Sequence, residues 1–238
     1  MNELISIIIP VYNHGNILPK TVDSIISQNY RPIEIIIVND GSVDNFNETV
    51  KKIKIKISKT NNIILKIINQ TNQGAPVARN HGYNESRGEF IIFWDADMIA
   101  KPTMLQKLKV ALKENPDKSY AYSDFKFGWK KFKSFEFDQK KIKENNYIDI
   151  GALIKREDFV GFDKNLKRFQ DWDLWLTMLA ENKTGVYVSE CLIKHLIDKK
   201  RISISYWLPK IFYKLPIKLN RVKEYEKAKQ IIKQKHNL

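Results

Sequence analysis

Two carboxylates separated by one residue, Asp95 and Asp97, directly follow an apolar run, Phe90–Trp94. Carboxylate oxygens suit a hard cation such as Mg²⁺ or Mn²⁺ and leave coordination positions open for phosphate oxygens. A diphosphate leaving group would need that neutralisation. The pair therefore predicts a divalent metal site, and the alternative is a pair of solvated acids in a turn.

A third acid, Asp40, follows another apolar run, Ile33–Val38, and precedes a glycine. A lone carboxylate in such a loop can accept a hydrogen bond from the imide N–H of a uracil or thymine ring. Tyr12, which follows the first apolar run, can stack on the same base or belong to the core. Simple turn chemistry is the alternative for Asp40, since Asp-Gly favours turns.

Asp171 begins an amphipathic stretch, Asp171–Glu181, that predicts a helix. A carboxylate presented there can act as a general base on a hydroxyl nucleophile within hydrogen-bond reach. It can equally serve as the N-cap of that helix. Its neighbour Trp172 offers a face for stacking on a sugar or belongs to the core.

The elements that must position these residues alternate along the first half of the chain. Near-continuous apolar runs predict strands buried on both faces of a parallel sheet, over Leu4–Ile9, Ile33–Val38, Ile63–Ile68 and Phe90–Trp94. Helical patterns lie between them, and Pro76 and Pro102 are placed to open two of these helices. This alternation predicts a doubly wound α/β sheet, in which ligands bind at the carboxyl ends of the strands. Tyr12, Asp40, Asp95 and Asp97, which follow these strands, should therefore lie at one edge of the sheet.

The second half is less regular. Strands are predicted over Ser119–Ser123, Ile148–Ile154 and Gly185–Val188, and residues 126–146 are predicted to be a loop or an irregular insert. A length of 238 residues suits one domain with a real core. The single cysteine, Cys191, excludes a scaffold held by intramolecular disulfides. No stretch reaches the roughly 18 apolar residues of a membrane span, so we expect a cytoplasmic protein.

The net charge of +14 is concentrated at one end of the chain. Residues 194–238 hold 13 Lys and Arg but 3 Asp and Glu, whereas the remainder is nearly balanced. A nucleic-acid-binding module would use such charge, but it leaves the clustered acids of the body unexplained. Nucleic acid is therefore not expected as a partner.

The order and spacing of these motifs resemble those of family 2 glycosyltransferases with the GT-A fold, over about residues 3–196. The matching segments are 6–13, 34–44, 73–82, 93–97, 161–163 and 170–176. The resemblance implies a single domain, over residues 1–200, with a Rossmann-like nucleotide-binding half and an acceptor-binding half. It is followed by a basic, aromatic-containing tail, 201–238, in which Arg221–Lys235 is a predicted terminal helix.

The resemblance also implies a reaction: inverting transfer of a sugar from a nucleoside-diphosphate donor, UDP-sugar favoured, to a hydroxyl of a glycan or lipid-linked saccharide. It makes Asp171 the catalytic base and makes Asp97 and Asp95 ligands of Mn²⁺ or Mg²⁺, with Asp97 the more direct ligand. Trp172, beside the base, is the candidate acceptor contact. His195 is a further metal ligand under this reading or a structural histidine. The resemblance places Tyr12 and Asp40 on the nucleobase and Arg79 near the diphosphate. The full set of expected nucleotide-binding residues is Pro10, Tyr12, Asn13, Asp40, Arg79 and Asp95.

The chain departs from the family pattern at two positions. Many relatives carry an acid where Asn39 stands, a difference that bears on the identity of the donor nucleotide rather than on the activity. An acid is also common where Gln170 stands, so that Asp171 is the sole candidate base there. A catalytically inactive nucleotide-binding relative is one alternative. A sugar-1-phosphate nucleotidyltransferase is disfavoured, because no glycine-rich phosphate loop follows the first strand.

Residues 204–219 mix aromatic side chains with Lys210, Lys214 and Lys218. Rings at the headgroup level and lysines facing anionic lipid are what an interfacial segment needs. The segment predicts peripheral contact at the inner face of a membrane, and the alternative is that it packs on the domain.

Overall fold

Four parallel strands form the first half of one nine-stranded mixed sheet. In the computed structural model, which describes residues 3–197 and 220–238, nearly every residue of β1, β2 and β4 is buried. Long β-branched side chains fit such doubly covered strands. The strands are β1 (Ile5–Val11), β2 (Ile33–Asp40), β3 (Ile63–Gln70) and β4 (Phe90–Phe93).

Helices cover both faces of this half. The side chains at Ile5, Ile7 and Ile9 share one core with α1, α2 and α4, while Ile8 and Ile36 point to the other face and share a core with α3. This alternation follows from the two-residue period of a strand. The helices are α1 (Leu18–Ile26), α2 (Phe46–Ile57), α3 (Ala75–Asn84) and α4 (Met104–Glu114).

The second half of the sheet mixes strand directions. The order is β3-β2-β1-β4-β8-β6-β9-β5, with β7 beside β6. β8 runs antiparallel to β4 and β6, β5 runs antiparallel to β9, and β6 is parallel to β9. These elements are β5 (Met98–Ala100), β6 (Tyr120–Phe127), β7 (Lys130–Phe132), α5 (Gln139–Glu144), β8 (Leu153–Lys155), α6 (Gln170–Ala180), β9 (Gly185–His195) and α7 (Asn220–Lys235).

The α/β class and the four strands predicted in the first half are confirmed, but β3 is not buried on both faces as expected, because it lies at the edge of the sheet and its side chains are half-buried or exposed. Three predictions in the second half also need correction. Only the end of Ile148–Ile154 is a strand, because β8, which lies between β4 and β6, is three residues long and begins at Leu153. The 126–146 region holds β7 and α5. The strand predicted over Gly185–Val188 continues to His195, because β6 pairs with both of its ends and β5 pairs with its last three residues.

The predicted terminal helix is confirmed as α7, which packs on the domain. Val222 and Ile232 are fully buried, and Ile232 joins the same core as α3 and α6. The segment predicted to meet a membrane, 204–219, lies outside the described residues. No helix within the described residues is long and apolar enough to cross a membrane.

Candidate active site

The turn between β4 and β5 carries Asp95 and Asp97 at the carboxyl edge of the parallel strands. Three hydrogen bonds hold it: Met98 N–H donates to the Asp95 carbonyl at 2.8 Å, Trp94 Nε1–H donates to the Met98 carbonyl at 2.8 Å, and Thr21 Oγ1 donates to the Ala96 carbonyl at 2.6 Å. The two carboxylates are thus presented by a fixed backbone.

A third side chain that can bind a metal, the imidazole of His195, joins the two carboxylates from β9. Because β5 and β9 pair with Met98 opposite His195, the imidazole lies beside the turn. One ligand atom each from Asp95, Asp97 and His195 lie within 4.8 Å of one another. Two carboxylates and an imidazole form a donor set that suits Mn²⁺ in particular, and Mg²⁺ through its oxygens.

Asp149 orients the imidazole of His195. His195 Nε2 and Asp149 Oδ2 are 2.8 Å apart, and His195 Nδ1 faces Asp97 Oδ1 at 3.7 Å. Burial disfavours the charged imidazole, but Asp149, Asp97 and Asp95 outweigh it and hold the pKa of His195 well above its ordinary value. A cation would displace the proton of Nδ1 while the proton of Nε2 stays shared with Asp149, the arrangement seen when a carboxylate backs a ligating histidine.

Arg79, on α3, connects the turn that carries Asp95 and Asp97 to the start of α6. Its side chain is 8% exposed; Nη2 donates to Asp95 Oδ1 and Nη1 to Gln170 Oε1, both at 2.7 Å. Its buried Nε has no hydrogen-bond partner among the described residues. Burial raises the pKa of Asp95, yet the charges of Arg79 and His195 prevail and hold it below its ordinary value. The guanidinium is thus fixed beside the cluster of Asp95, Asp97 and His195, with its Nε donor unused among the described residues.

Asp171 opens α6 in the same cleft. Its Oδ2 accepts from Asn146 Nδ2 at 2.7 Å, and its Oδ1 accepts from the Trp172 backbone N–H at 2.9 Å. Burial, supported by the nearby charge of Asp149, raises the pKa of Asp171 to about 6. Both oxygens keep a lone pair, so this carboxylate is oriented and able to accept a further proton near neutral pH.

Trp172 does not have the exposed face that a sugar-stacking role requires. Its side chain is buried, with 1% of the residue exposed, and its indole N–H donates to the Ile142 carbonyl at 2.6 Å. The ring packs edge-to-face with Phe169 and lies under Lys229. Trp172 is therefore part of the core beneath the cleft, because α6 turns its apolar stripe inward.

The residues expected on the nucleobase lie at the carboxyl ends of β1 and β2 and in the loop after β1. Tyr12 is 48% exposed and Asn13 ties this loop to the loop after β2, since its Oδ1 accepts from Val43 N–H at 2.7 Å. Pro10 lies within β1 and is half-buried, between the fully buried Ile9 and Val11. Asp40 is 2% exposed and accepts from Gln70 Nε2 and the backbone N–H groups of residues 73 and 74, each at 2.8 Å. Asp40 thus uses most of its acceptor capacity to hold the loop before α3.

One open cleft of about 330 Å³ brings the predicted metal and base residues together. Its lining also includes Asp149 and Gln170, which sequence reasoning did not assign to the site. Asp149 fell in a predicted strand, and no local pattern marks a carboxylate that backs a distant histidine. The predicted residues that line the cleft are Arg79, Asp95, Asp97, Asp171 and His195.

Comparison with known families gives a match over most of the chain. The family model described as Glycosyl transferase family 2 matches residues 6–169, more than half of the chain. The glycosyltransferase GlyG of Streptococcus pneumoniae serotype 4 is 36% identical over 115 residues, which cover 48% of this chain and 36% of that protein. The chain thus spans about a third of the length of this curated relative.

Two solved structures share the fold at low sequence identity. S. aureus TarS 1-349 in complex with UDP-GlcNAc matches with a TM-score of 0.71 and 17% identity, over 90% of this chain and 64% of that chain. The mannosyltransferase PcManGT from Pyrobaculum calidifontis, in complex with GDP-Man and Mn²⁺, matches with a TM-score of 0.69 and 14% identity, over 98% and 70%. The GT-A-type α/β fold expected from the sequence is therefore confirmed.

Proposed function

The chain belongs to glycosyl transferase family 2, and on that premise we propose that it transfers a sugar with inversion from a nucleoside-diphosphate sugar to a hydroxyl acceptor. One observation carries the proposal. A carboxylate whose pKa is raised to about 6, that of Asp171, shares a cleft with the Asp95, Asp97 and His195 cluster. Transfer of a sugar needs a base on the acceptor side and charge neutralisation on the donor side.

Asp171 is the proposed catalytic base. It takes the proton of the acceptor hydroxyl while that oxygen attacks the anomeric carbon, and the bond from that carbon to the diphosphate breaks on the opposite face. The hydrogen bond from Asn146 fixes one carboxylate oxygen, so that the carboxylate pays little ordering entropy on reaction. Inversion follows because a single displacement occurs.

The donor side is assigned to Asp95, Asp97, His195 and Arg79. The first three would hold Mn²⁺ or Mg²⁺, and Asp149 would keep the imidazole in the ligating tautomer. A divalent cation there supplies electrostatic stabilisation of a diphosphate leaving group. The unused Nε donor of Arg79 suits a phosphate oxygen, and its two pairs with Asp95 and Gln170 keep the guanidinium in place.

The donor class is a nucleoside-diphosphate sugar, with a UDP-sugar favoured. TarS is described with UDP-GlcNAc and PcManGT with GDP-Man and Mn²⁺, which supports the class for this chain. Pro10, Tyr12 and Asn13 form the proposed base and ribose wall, with exposed Tyr12 available for stacking. Asp40 contributes through its remaining Oδ2 lone pair and by fixing the loop at Gly74.

The proposed acceptor is a hydroxyl of a glycan or of a lipid-linked saccharide. We assign peripheral contact with an anionic membrane, at its cytoplasmic face, to the aromatic and basic residues 204–219. This assignment treats residues 201–238 as a tail that follows the transferase domain. The last helix of that tail, α7, packs on the domain.

The test is a thermal-shift panel of UDP, dTDP, GDP and CMP, each with and without Mn²⁺. A ligand at 100 times its Kd stabilises the folded state by about 2.7 kcal/mol, which is several degrees for a domain of this size. We expect a metal-dependent shift with one nucleotide that Asp97→Ala abolishes and that Asp117→Ala, at an exposed turn, retains. Turnover of the matching nucleotide sugar then separates an enzyme from an inactive binding module, and no shift at all contradicts the proposal.

A further inference from the structure

The C-terminal helix α7 lies against the segment 163–173, which leads into and begins α6. This contact is made by side chains of α7 at positions 224, 225, 229 and 235, and by His236 just after the helix. Helix α7 therefore touches the part of the chain that presents Asp171, although about 50 residues of sequence separate them.

Lys235, the last residue of α7, and His236, which follows it, contact one buried acid of α6. Asp173 is 3% exposed, and its carboxylate lies 2.9 Å from Lys235 Nζ and 2.7 Å from His236 Nε2. Lys235 also pairs with Asp163 Oδ2 at 2.7 Å. A buried carboxylate is costly unless it is paired, so these contacts tie the first turn of α6 to α7.

An aromatic side chain of α7 contacts Phe169, which lies two residues before Asp171. Phe169 adopts a left-handed backbone conformation, φ 58° and ψ 31°, which is a rare conformation for a bulky residue. Its ring packs edge-to-face on Tyr225 of α7 at 5.0 Å and on Trp172 at 5.7 Å. Such a conformation persists when the surroundings over-determine it, and Tyr225 is part of those surroundings.

We propose that Tyr225 and His236 are positioning residues, which hold the turn Phe169–Asp171 in the geometry that presents the base to the acceptor. The inference rests on the proposed function of Asp171. Neither residue lines the cleft. Tyr225 therefore acts through its contact with Phe169, and His236 through its contact with Asp173. Misplacement of a reacting group by about 1 Å costs about 100-fold in rate, so small shifts of this turn are sufficient.

The experiment compares the full-length double variant Tyr225→Ala/His236→Leu with wild type. The probes are UDP-GlcNAc and GDP-Man with Mn²⁺, and nucleoside-diphosphate release gives kcat and KM. Hydrogen exchange of residues 163–173 reports order in the segment directly. We expect faster exchange there, at least a 10-fold lower kcat, and a donor KM within about twofold of wild type.

Two further variants keep the test decisive. Tyr225→Phe/His236→Gln keeps the ring and a donor nitrogen, so it should restore both kcat and protection. Lys227→Ala removes a charge from the exposed side of the same helix and should change neither. If the double variant is too unstable to purify, the single variants Tyr225→Ala and His236→Leu take its place in the same assays.

Each outcome bears on one claim. Unchanged exchange of 163–173, or a faster exchange with kcat unchanged, overturns the inference. A donor KM that rises together with a general loss of stability also overturns it, because α7 then acts only on the fold. If wild type releases no nucleotide from either donor, the proposed function fails on these donors, and exchange of 163–173 alone decides whether α7 orders the turn.

Discussion

Asp95 and Asp171 share a residue type and a cleft but differ in their environment. The guanidinium of Arg79 and the imidazole of His195 outweigh burial at Asp95, so the pKa of Asp95 lies below its ordinary value. Burial prevails at Asp171 and raises its pKa to about 6. Opposite shifts of neighbouring acids distinguish a group that stays charged from one that exchanges a proton.

Replacing Asp171 with Asn tests the base at this scale. General-base catalysis contributes about 10²- to 10⁴-fold, so Asp171→Asn should lose turnover by that factor while donor binding is retained. Since a base acts in its ionised form, the wild-type rate should rise as pH increases through about 6. The raised pKa favours the neutral form in the fold, so above pH 6 the Asn variant should be at least as stable as wild type. Near wild-type turnover would contradict the assignment.

Replacing Asp149 with Asn tests the support of His195. Loss of the charge that orients the imidazole should weaken Mn²⁺ binding by about 10- to 100-fold, the usual cost of removing a partner of a ligating histidine. Calorimetric titration with Mn²⁺ measures the affinity directly. Asp117→Asn removes a carboxylate that is 71% exposed in the turn after α4 and serves as the control. Equal Mn²⁺ affinity in wild type and Asp149→Asn would remove Asp149 from the site.

Residue types and spacing predict some of these side chains better than others. Asp95, Asp97 and Asp171 could be singled out because each follows or begins a recognisable element. Asp149 and Asn146 could not, because their partners, His195 and Asp171, lie 46 and 25 residues away in the sequence. The carboxylate of Asp40 likewise accepts a hydrogen bond from a backbone N–H group 33 residues away. Such contacts are set by the fold and leave no local pattern.

At the scale of elements, continuous apolar runs made the first four strands predictable. The strands that complete the site are short or irregular: β5 has 3 residues, and β9 shifts register against β6 near Asp124. Their pairing depends on neighbours distant in sequence, so periodicity could not place them. This pairing of β5 with β9 brings His195 to Asp97.

Helix α3 carries Arg79, and its position depends on the close approach of Gly82 to the sheet. A Cβ at Gly82 would overlap a methyl group of Ile8 and lie 3.1 Å from Val38 Cγ2. Alanine gains about 1 kcal/mol of helix propensity, but overpacking against fully buried strands costs about 1–3 kcal/mol. We expect Gly82→Ala to lower the free energy of unfolding by about 1–2 kcal/mol in urea titrations and to weaken donor binding, because α3 and Arg79 move together. Asn84→Ala, at the exposed end of the same helix, should have little effect on either quantity.

At the scale of the whole molecule, charge and packing are distributed unequally. The body carries clustered acids in its cleft, whereas residues 194–238 hold most of the net positive charge. Within that basic end, α7 buries Val222 and Ile232. Deleting the whole tail would therefore remove part of a core as well as the basic segment. A membrane role of residues 204–219 has to be tested by substitution within the segment.

The triple variant Lys210→Gln/Lys214→Gln/Lys218→Gln separates charge from packing. Each lysine near an anionic bilayer contributes about 1 kcal/mol, so the variant should bind anionic vesicles about 100-fold more weakly in flotation, and raised salt should reduce the difference. Neutral vesicles should bind wild type and variant alike. Lys51→Gln/Lys52→Gln/Lys54→Gln removes the same charge from the exposed face of α2 and should leave flotation close to that of wild type. Equal losses in both triple variants would assign the attraction to net charge alone, and no loss in either would remove the membrane contact from the proposed function.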